Sequence, residues 1–261
     1  MPIFNDIDLE NWKESEVWTD SLWMISERDK SGKHSGFYHG NFVPQVPRQL
    51  ILRYTKKNDV VFDPFVGSGT TAFESEALSR NFVGIDIQKE IIKYVKEKID
   101  VDGKKFAELI VGDSTDIKTF DKVSEALRQH RRKSVQLAIL HPPYADIVKF
   151  SDKPGDLSNS TSLKDFLKKF SHVLQNTLQI LDKNRYVAIV IGDKYAKGQW
   201  IPLGFYCMHE AQKLGLTLKS VIIKNMEGNR AKQNKEAIWR YRALASDYYI
   251  FKHEYILVFK K

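Results

Sequence analysis

The chain has 261 residues, 42% of them hydrophobic, enough for one large α/β core and too many for a fold that needs staples. Its single cysteine, Cys207, excludes an internal disulfide framework and a thiolate metal cluster, and points to a reducing, intracellular compartment, here the cytoplasm. Lys and Arg outnumber Asp and Glu by 41 to 33, a formal charge of +8 that favours a polyanionic partner, while the absence of a leader-like start or a long apolar run argues against a membrane.

Residues 1–45 are irregular and rich in aromatics (Trp12, Trp18, Trp23, Phe37, Tyr38, Phe42), and are expected to form an arm packed over the domain. Pro44 and Pro47 bracket the entry to a helix from Arg48 to Tyr54. VVFDPF is then a short strand, Val66 to Thr71 a Gly-rich turn, and AFESEALSR a helix. Such a turn lets backbone amides approach a ligand while the next helix aims its positive end at it. A second strand, NFVGIDI, ends in Asp86, which can accept hydrogen bonds from both hydroxyls of a nucleoside ribose. A dinucleotide fits poorly, because Thr70 and Thr71 stand where the third glycine of its fingerprint would be. Asp63 would also repel a pyrophosphate, whereas it could pair with the α-amino group of a bound amino acid.

QKEIIKYVKEKI is a helix with Ile91, Ile92, Val95 and Ile99 on one face. The third strand, FAELIVGDS, ends at Asp113, which either reaches a bound adenine ring or caps a helix starting near Asp116. LAILHPPY, residues 137–144, is a buried parallel strand stopped by two prolines that cannot continue the ladder. Ligands of open α/β sheets bind outside the carboxyl ends of strands, so the chemistry is placed here. Residues 145–161 form a long functional loop, 162–181 a helix, RYVAIVIGD a fifth strand and KYAKGQWIPLG a loop. A helix over 205–214 buries Cys207 as a small hydrophobe. LKSVIIKN and YYIFKHEYILVFKK are the last two strands, the final one antiparallel and hairpin-like. NRAKQNKEAIWRYRAL reads in two ways, as nucleic-acid contact or as a basic amphipathic helix with Trp239 and Leu244 in the core. No repeat or linker divides the chain, so one domain spans 1–261, with 145–161 and 225–246 as candidate nucleic-acid-contacting insertions. His39 and His253 lack ligand spacing, and no metal is expected.

DPFVGSGTT, VGIDI and HPPY together resemble the amino-directed DNA methyltransferases, which use S-adenosylmethionine to methylate adenine N6 or cytosine N4. The lead-in FVPQVPRQLILRYTKKNDVVFDPF is similar to that family's segment before its glycine loop, and the likeness runs from about Asn41 to the end. It implies a Rossmann-like methyltransferase fold: a mostly parallel seven-stranded sheet with an antiparallel strand near the carboxyl terminus. Asp63, Phe65, Gly67 and Gly69 match the methionine-binding loop, Asp86 the ribose acid, and Asp113 the residue near the adenine. Pro64, Ser68, Thr70, Ile87 and Ser114 flank them in the implied cofactor site. His141, Pro142, Pro143 and Tyr144 fall on the catalytic motif, whose first residue in the family is usually Asp, Asn or Ser. The order, cofactor loop before catalytic motif, implies target recognition by the later loops.

An exocyclic amine is a poor nucleophile because its lone pair is delocalised, so two acceptors for its N–H groups are wanted: the Pro142 carbonyl and the side chain at 141. Tyr144 offers a face for the flipped base. A neutral imidazole has one acceptor nitrogen and imidazolium none, so transfer is expected to fall as pH drops through a value near 6.5. Lys149, Lys153, Lys194, Lys197, Arg230, Arg240 and Arg242 are the expected contacts to double-stranded DNA. The resemblance also implies restriction-modification, with a companion restriction endonuclease as a candidate partner; monomer and homodimer stay open. Two rival readings remain, an RNA guanine-N2 methyltransferase and a non-catalytic subunit that binds cofactor and nucleic acid.

Overall fold

The computed structural model describes residues 4–34, 40–100, 103, 105–144, 147–226 and 236–261. Its frame is a sheet of eight strands: β1 (Leu22–Trp23), β2 (Val60–Asp63), β3 (Asn81–Asp86), β4 (Ala107–Val111), β5 (Val135–Leu140), β6 (Leu181–Ile191), β9 (Thr217–Asn225) and β10 (His253–Lys260). Two further strands, β7 (Lys194–Ala196) and β8 (Gln199–Ile201), form a separate hairpin. The spatial order is β4-β3-β2-β5-β6-β10-β9-β1, parallel except at β10, which runs antiparallel to both β6 and β9. Seven of these strands are the sheet expected from the sequence. The eighth, β1, comes from the arm.

Both faces of the sheet are covered, which is why its central strands read as unbroken apolar runs rather than alternating ones. In β2, Val60 and Phe62 enter one core and Val61 the other; in β5, Ala138 and Leu140 oppose Leu137 and Ile139. One core is closed by α1 (Gln45–Tyr54), α2 (Thr70–Ala77) and α3 (Lys89–Lys98) through Leu50, Ile51, Phe73, Ile92 and Val95. The other is closed by α4 (Ile117–Gln129), α5 (Leu163–Ile180) and α6 (Leu203–Lys213) through Phe120, Phe166, Phe170, Val173 and Cys207. Helix α5 starts on a side-chain cap, in which the Ser162 hydroxyl accepts from the Asp165 amide, and the Asp165 carboxylate accepts from the amide of Thr161 just before it. Burial raises the Cys207 thiol pKa well above its usual value, in keeping with a packing role.

Four expectations are changed or refined. The arm is anchored, since β1 pairs in parallel with β9, Trp23 is buried, and the Asn225 side chain bonds both the amide and the carbonyl of Ile25. Residues 194–201, expected as loop, close into the β7–β8 hairpin with Lys197 at φ 51° and Gly198 at φ 74°. Two successive positive φ values suit a tight hairpin turn, but Lys-Gly is a weaker signal for it than Asn-Gly. The last strand pairs antiparallel with its predecessor β9 as expected, but across the long connection 226–252, and its other edge is inserted beside β6. Finally, α7 (Glu236–Leu244) leaves Leu244 74% exposed, so that residue does not serve an amphipathic core.

Chain direction fixes the site. From β2 the chain builds outward through β3 to β4, then returns to place β5 on the other side of β2 and continues to β6. The order reverses between β2 and β5, and ligands of open α/β sheets bind at such a switch point. Phe170, fully buried and stacked on Phe166 with ring centroids 6.2 Å apart, tests the packing under this frame. Phe170→Ala is expected to lower unfolding free energy by about 3–5 kcal/mol in chemical denaturation.

Candidate active site

The carboxyl end of β2 carries the glycine loop. Gly69, at φ 87°, adopts a left-handed conformation, and a Cβ there would stand 2.8 Å from Val95 Cγ1, so conformation and space both require glycine. Asp86, at the end of β3, accepts from the Gly67 amide at 2.9 Å with Oδ2 and from the Gln88 amide at 2.9 Å with Oδ1. That leaves a second lone pair on each oxygen, and Asp86 lines the cavity. Burial raises the Asp86 pKa, and the two amide bonds oppose that rise. Asp63 lies beneath the loop, where Oδ1 accepts from the Phe65 amide at 2.8 Å and Oδ2 from the Thr71 hydroxyl at 2.6 Å. Burial, opposed by those two bonds and helped by the Asp86 charge, pushes its pKa up to about 7.

The carboxyl end of β5 delivers His141, Pro142, Pro143 and Tyr144 beside that loop. Tyr144 leans on Gly192, where a Cβ would come within 2.9 Å of the ring, and its hydroxyl donates to Glu254 Oε2 at 2.7 Å. Lys224 Nζ donates to Glu254 Oε1 at 2.8 Å, and His141 Nε2 stands 3.2 Å from the Tyr144 oxygen. The Phe42 ring meets His141 edge to face, centroids 4.7 Å apart. Burial draws the His141 pKa down to about 4, with Glu254 pulling it up and Lys224 down. Burial would raise Glu254, but Lys224 and the surrounding bonds leave it lowered. Tyr144 is raised well above its usual value by burial, then by the Glu254 charge.

One cavity of about 720 Å³ joins the two halves, within the rough 300–1,000 Å³ range of small-molecule sites. Pro64, Phe65, Gly67, Thr70, Asp86, Ile87 and Ser114 line it from the glycine-loop side, and all four residues of HPPY from the other. Asp63, Ser68, Gly69 and Asp113 stand outside its lining. Ser68 donates to Asn41 Oδ1 at 2.6 Å, tying the loop to the arm. Asp113 turns back on Thr115, accepting from its amide and hydroxyl, while Asp116 caps α4. Phe42, one of the aromatics of the arm, joins the lining, whereas sequence reasoning missed Arg28 and Asn41 beside it, Asp156 and Leu157 of the long loop, and Lys224 with Glu254. For Glu254 a signal existed, a charged residue at the start of an otherwise apolar strand, whereas Lys224 ends a strand with other polar residues; both prove buried.

The expected DNA contacts divide. Lys149 pairs with Asp152, and Lys153 donates to the Ile87 carbonyl at the cavity rim. Lys194 and Lys197 lie on the β7–β8 hairpin, and Arg240 and Arg242 are exposed on α7. A shallow cleft of about 430 Å³ between hairpin and helix brings Lys197 and Arg242 together with Tyr195, Trp239 and Tyr248. Tyr195 and Tyr248 stack at 4.2 Å, and the Arg242 guanidinium lies 5.5 Å from the Trp239 ring centre. Arg230 and His39 lie outside the described residues. His253 packs against Tyr255, its Nε2 3.2 Å from the tyrosine oxygen.

In overall architecture the chain matches a methyltransferase from Pyrococcus furiosus with a TM-score of 0.52, at 12% identity over 88% of this chain and 87% of that one. The fold is thus the Rossmann-like α/β methyltransferase fold. More narrowly, the chain belongs to the N6/N4 DNA methylase family, which it matches over residues 5–97 and 135–261. Among curated relatives, the Type II methyltransferase M2.LlaDCHI of Lactococcus lactis subsp. cremoris is 42% identical over 86 residues, covering 33% of this chain and 30% of the relative. The Type II methyltransferase M2.DpnII of Streptococcus pneumoniae is 38% identical over 93 residues, 34% of this chain and 31% of the relative. The matched part thus spans under a third of the length of these relatives.

The Asp63 carboxyl offers a test of the buried acid. A folded pKa near 7 against 3.8 means the native state holds a proton that the unfolded chain gives up, so this group costs stability as pH rises through that window. The full effect is of order 4 kcal/mol. Asp63→Asn is therefore expected to gain stability relative to the parent as pH is raised from about 5 to about 8 in thermal unfolding, whereas a constant difference would place Asp63 in a solvated setting.

Proposed function

We propose that this protein transfers a methyl group from S-adenosylmethionine to an exocyclic amine of DNA, adenine N6 or cytosine N4, at a specific sequence. One observation carries the reading: a glycine loop with its strand-end acid and a His-Pro-Pro-Tyr motif open into the same cavity at the switch point of the sheet. The donor set suits the cofactor, since Asp86 lines the cavity with lone pairs left for ribose hydroxyls, while Asp63, beneath the loop and outside the lining, adds a charge that an ammonium held in the cavity would favour. When bound, the cofactor supplies an electrophilic methyl on a sulfonium.

The remaining work falls to the chain's own groups. The Pro142 carbonyl and the His141 ring accept the two N–H bonds of the target amine and favour the pyramidal form, whose lone pair attacks the methyl carbon. Once methylated, the amine would carry one proton in excess, which the Pro142 carbonyl and the His141 ring would hold by hydrogen bond until it passes to solvent. Tyr144, its hydroxyl anchored on Glu254, holds a fixed ring face for a base that has left the duplex at a cost of a few kcal/mol. The β7–β8 hairpin and α7 present the basic, aromatic surface that suits a nucleic-acid backbone. The Type II relatives support a site-specific role, with a companion endonuclease as candidate partner.

Burial revises the pH expectation. With the His141 pKa near 4 rather than 6.5, the imidazole stays neutral throughout the working range. Single-turnover methyl transfer should be flat from about pH 8 to about pH 5 and fall only as pH approaches the imidazole pKa. His141→Ala should lose roughly 100- to 1,000-fold; full retention would remove His141 from the chemistry. Label from tritiated cofactor is expected in duplex DNA, and label in RNA guanine instead would assign the rival reading. For the DNA surface, Arg240→Ala with Arg242→Ala should lower the salt slope of duplex binding by about two, and an unchanged slope would leave both arginines to the fold.

A further inference from the structure

A hydrogen-bond chain runs behind the cavity, and its polarity can be followed atom by atom. Lys224 Nζ has only protons to give, and gives one to Glu254 Oε1 at 2.8 Å. Glu254, ionised beside that ammonium, can only accept, and it takes the Tyr144 hydroxyl proton on Oε2 at 2.7 Å. A hydroxyl has one proton. The alternative acceptor, His141 Nε2, is neutral and farther off at 3.2 Å, so the carboxylate wins it. Toward His141 the tyrosine oxygen then has only lone pairs, and Nε2 must be the donor. A neutral imidazole carries one ring proton, so Nδ1 keeps its lone pair. Among the described residues no group bonds Nδ1, and His141 lines the cavity.

We infer that Glu254, held by Lys224, is a positioning residue that sets the tautomer of His141 through Tyr144, leaving Nδ1 as the acceptor for one N–H of the target amine. The tautomer follows from the chain of bonds alone. Its use as an amine acceptor rests on the methyl-transfer reading. The inference accounts for a histidine at a position where an acidic, amide or hydroxyl side chain was expected. An imidazole free to take either tautomer would present a proton to the amine whenever it held the Nδ1–H form. Here the carboxylate, two residues removed from the reacting atoms, makes it act like a carbonyl. Without that carboxylate the Tyr144 hydroxyl would be free to donate to Nε2, and the ring proton would move to Nδ1, turning the acceptor into a donor.

The test is long-range proton–nitrogen correlation NMR on protein labelled with 15N-histidine at neutral pH, with His141 assigned by its loss in His141→Asn. The parent should show a protonated, pyrrole-type Nε2 and a bare, pyridine-type Nδ1. A proton on Nδ1 overturns the inference. In Glu254→Gln the amide can face Lys224 with its oxygen and Tyr144 with its NH2, which frees the hydroxyl to donate to Nε2; the two nitrogen signals should exchange character. A folded Glu254→Gln with the parent pattern overturns the role of Glu254. Should that variant not fold, Tyr144→Phe removes the hydroxyl alone and is expected to abolish the single-tautomer pattern, an unchanged pattern again being the refuting result. For folded Glu254→Gln, kcat for methyl transfer should fall about 100-fold with KM for DNA nearly unchanged. A parent with the expected tautomer but no transfer to DNA would overturn the amine role and the proposed function together, while the positioning of His141 would stand.

Discussion

The pairing of β2 with β5, through Val61 with Leu137 and Phe62 with Ala138, is the constraint on which the site depends. These two strands are adjacent in the sheet but lie on opposite sides of its reversal, so the connections that leave them diverge and open a crevice between. The glycine loop occupies one wall of it and the Pro-Pro turn the other. Neither wall has a site alone. Because both strands are buried on both faces, their relative height is set by the packing of Phe62 and Ala138 on one side and Val61 and Leu137 on the other, and a slip in register would turn each of these side chains to the wrong face.

Behind this frame stands a buried ion pair whose worth to stability is small. Desolvating Lys224 and Glu254 costs several kcal/mol per ion, and their attraction repays this only when geometry and further hydrogen bonds are good. Here the carboxylate is satisfied by the ammonium on one oxygen and by the tyrosine hydroxyl on the other. The pair links β9 and β10 to the turn after β5, three segments far apart in the chain, and its plainest effect is on how Tyr144 and His141 are oriented. Specific orientation, more than net stability, is what such a pair supplies.

What could be read from the residues follows from range. The loop Asp63 to Thr71, the strand-end Asp86 and the HPPY turn are local strings whose geometry is dictated by neighbours in sequence, and each lies at the carboxyl end of its strand. The central strands were legible because burial on both faces leaves an apolar run. Contacts made across the sheet were not. Glu254 is 110 residues from Tyr144, and its place beside that ring depends on β10 being inserted between β6 and β9. The strand within the arm went unread for the same reason: a two-residue strand such as β1 has no period of its own, and its existence depends on the edge of β9. Burial was equally hidden, since no local pattern tells that the His141 ring titrates near 4 or the Asp63 carboxyl near 7.

That last acid has a consequence for calorimetry. At neutral pH an Asp63 population with a pKa near 7 is divided between its neutral and ionised forms. On the proposed reading, a cationic amine held in the cavity above it would favour the ionised form and displace part of the proton still bound. Binding is then coupled to proton release, and the heat measured includes the heat of protonating the buffer. Titrations in buffers of different ionisation enthalpy would give different apparent enthalpies for one and the same association, and the slope between them would count the protons leaving the site.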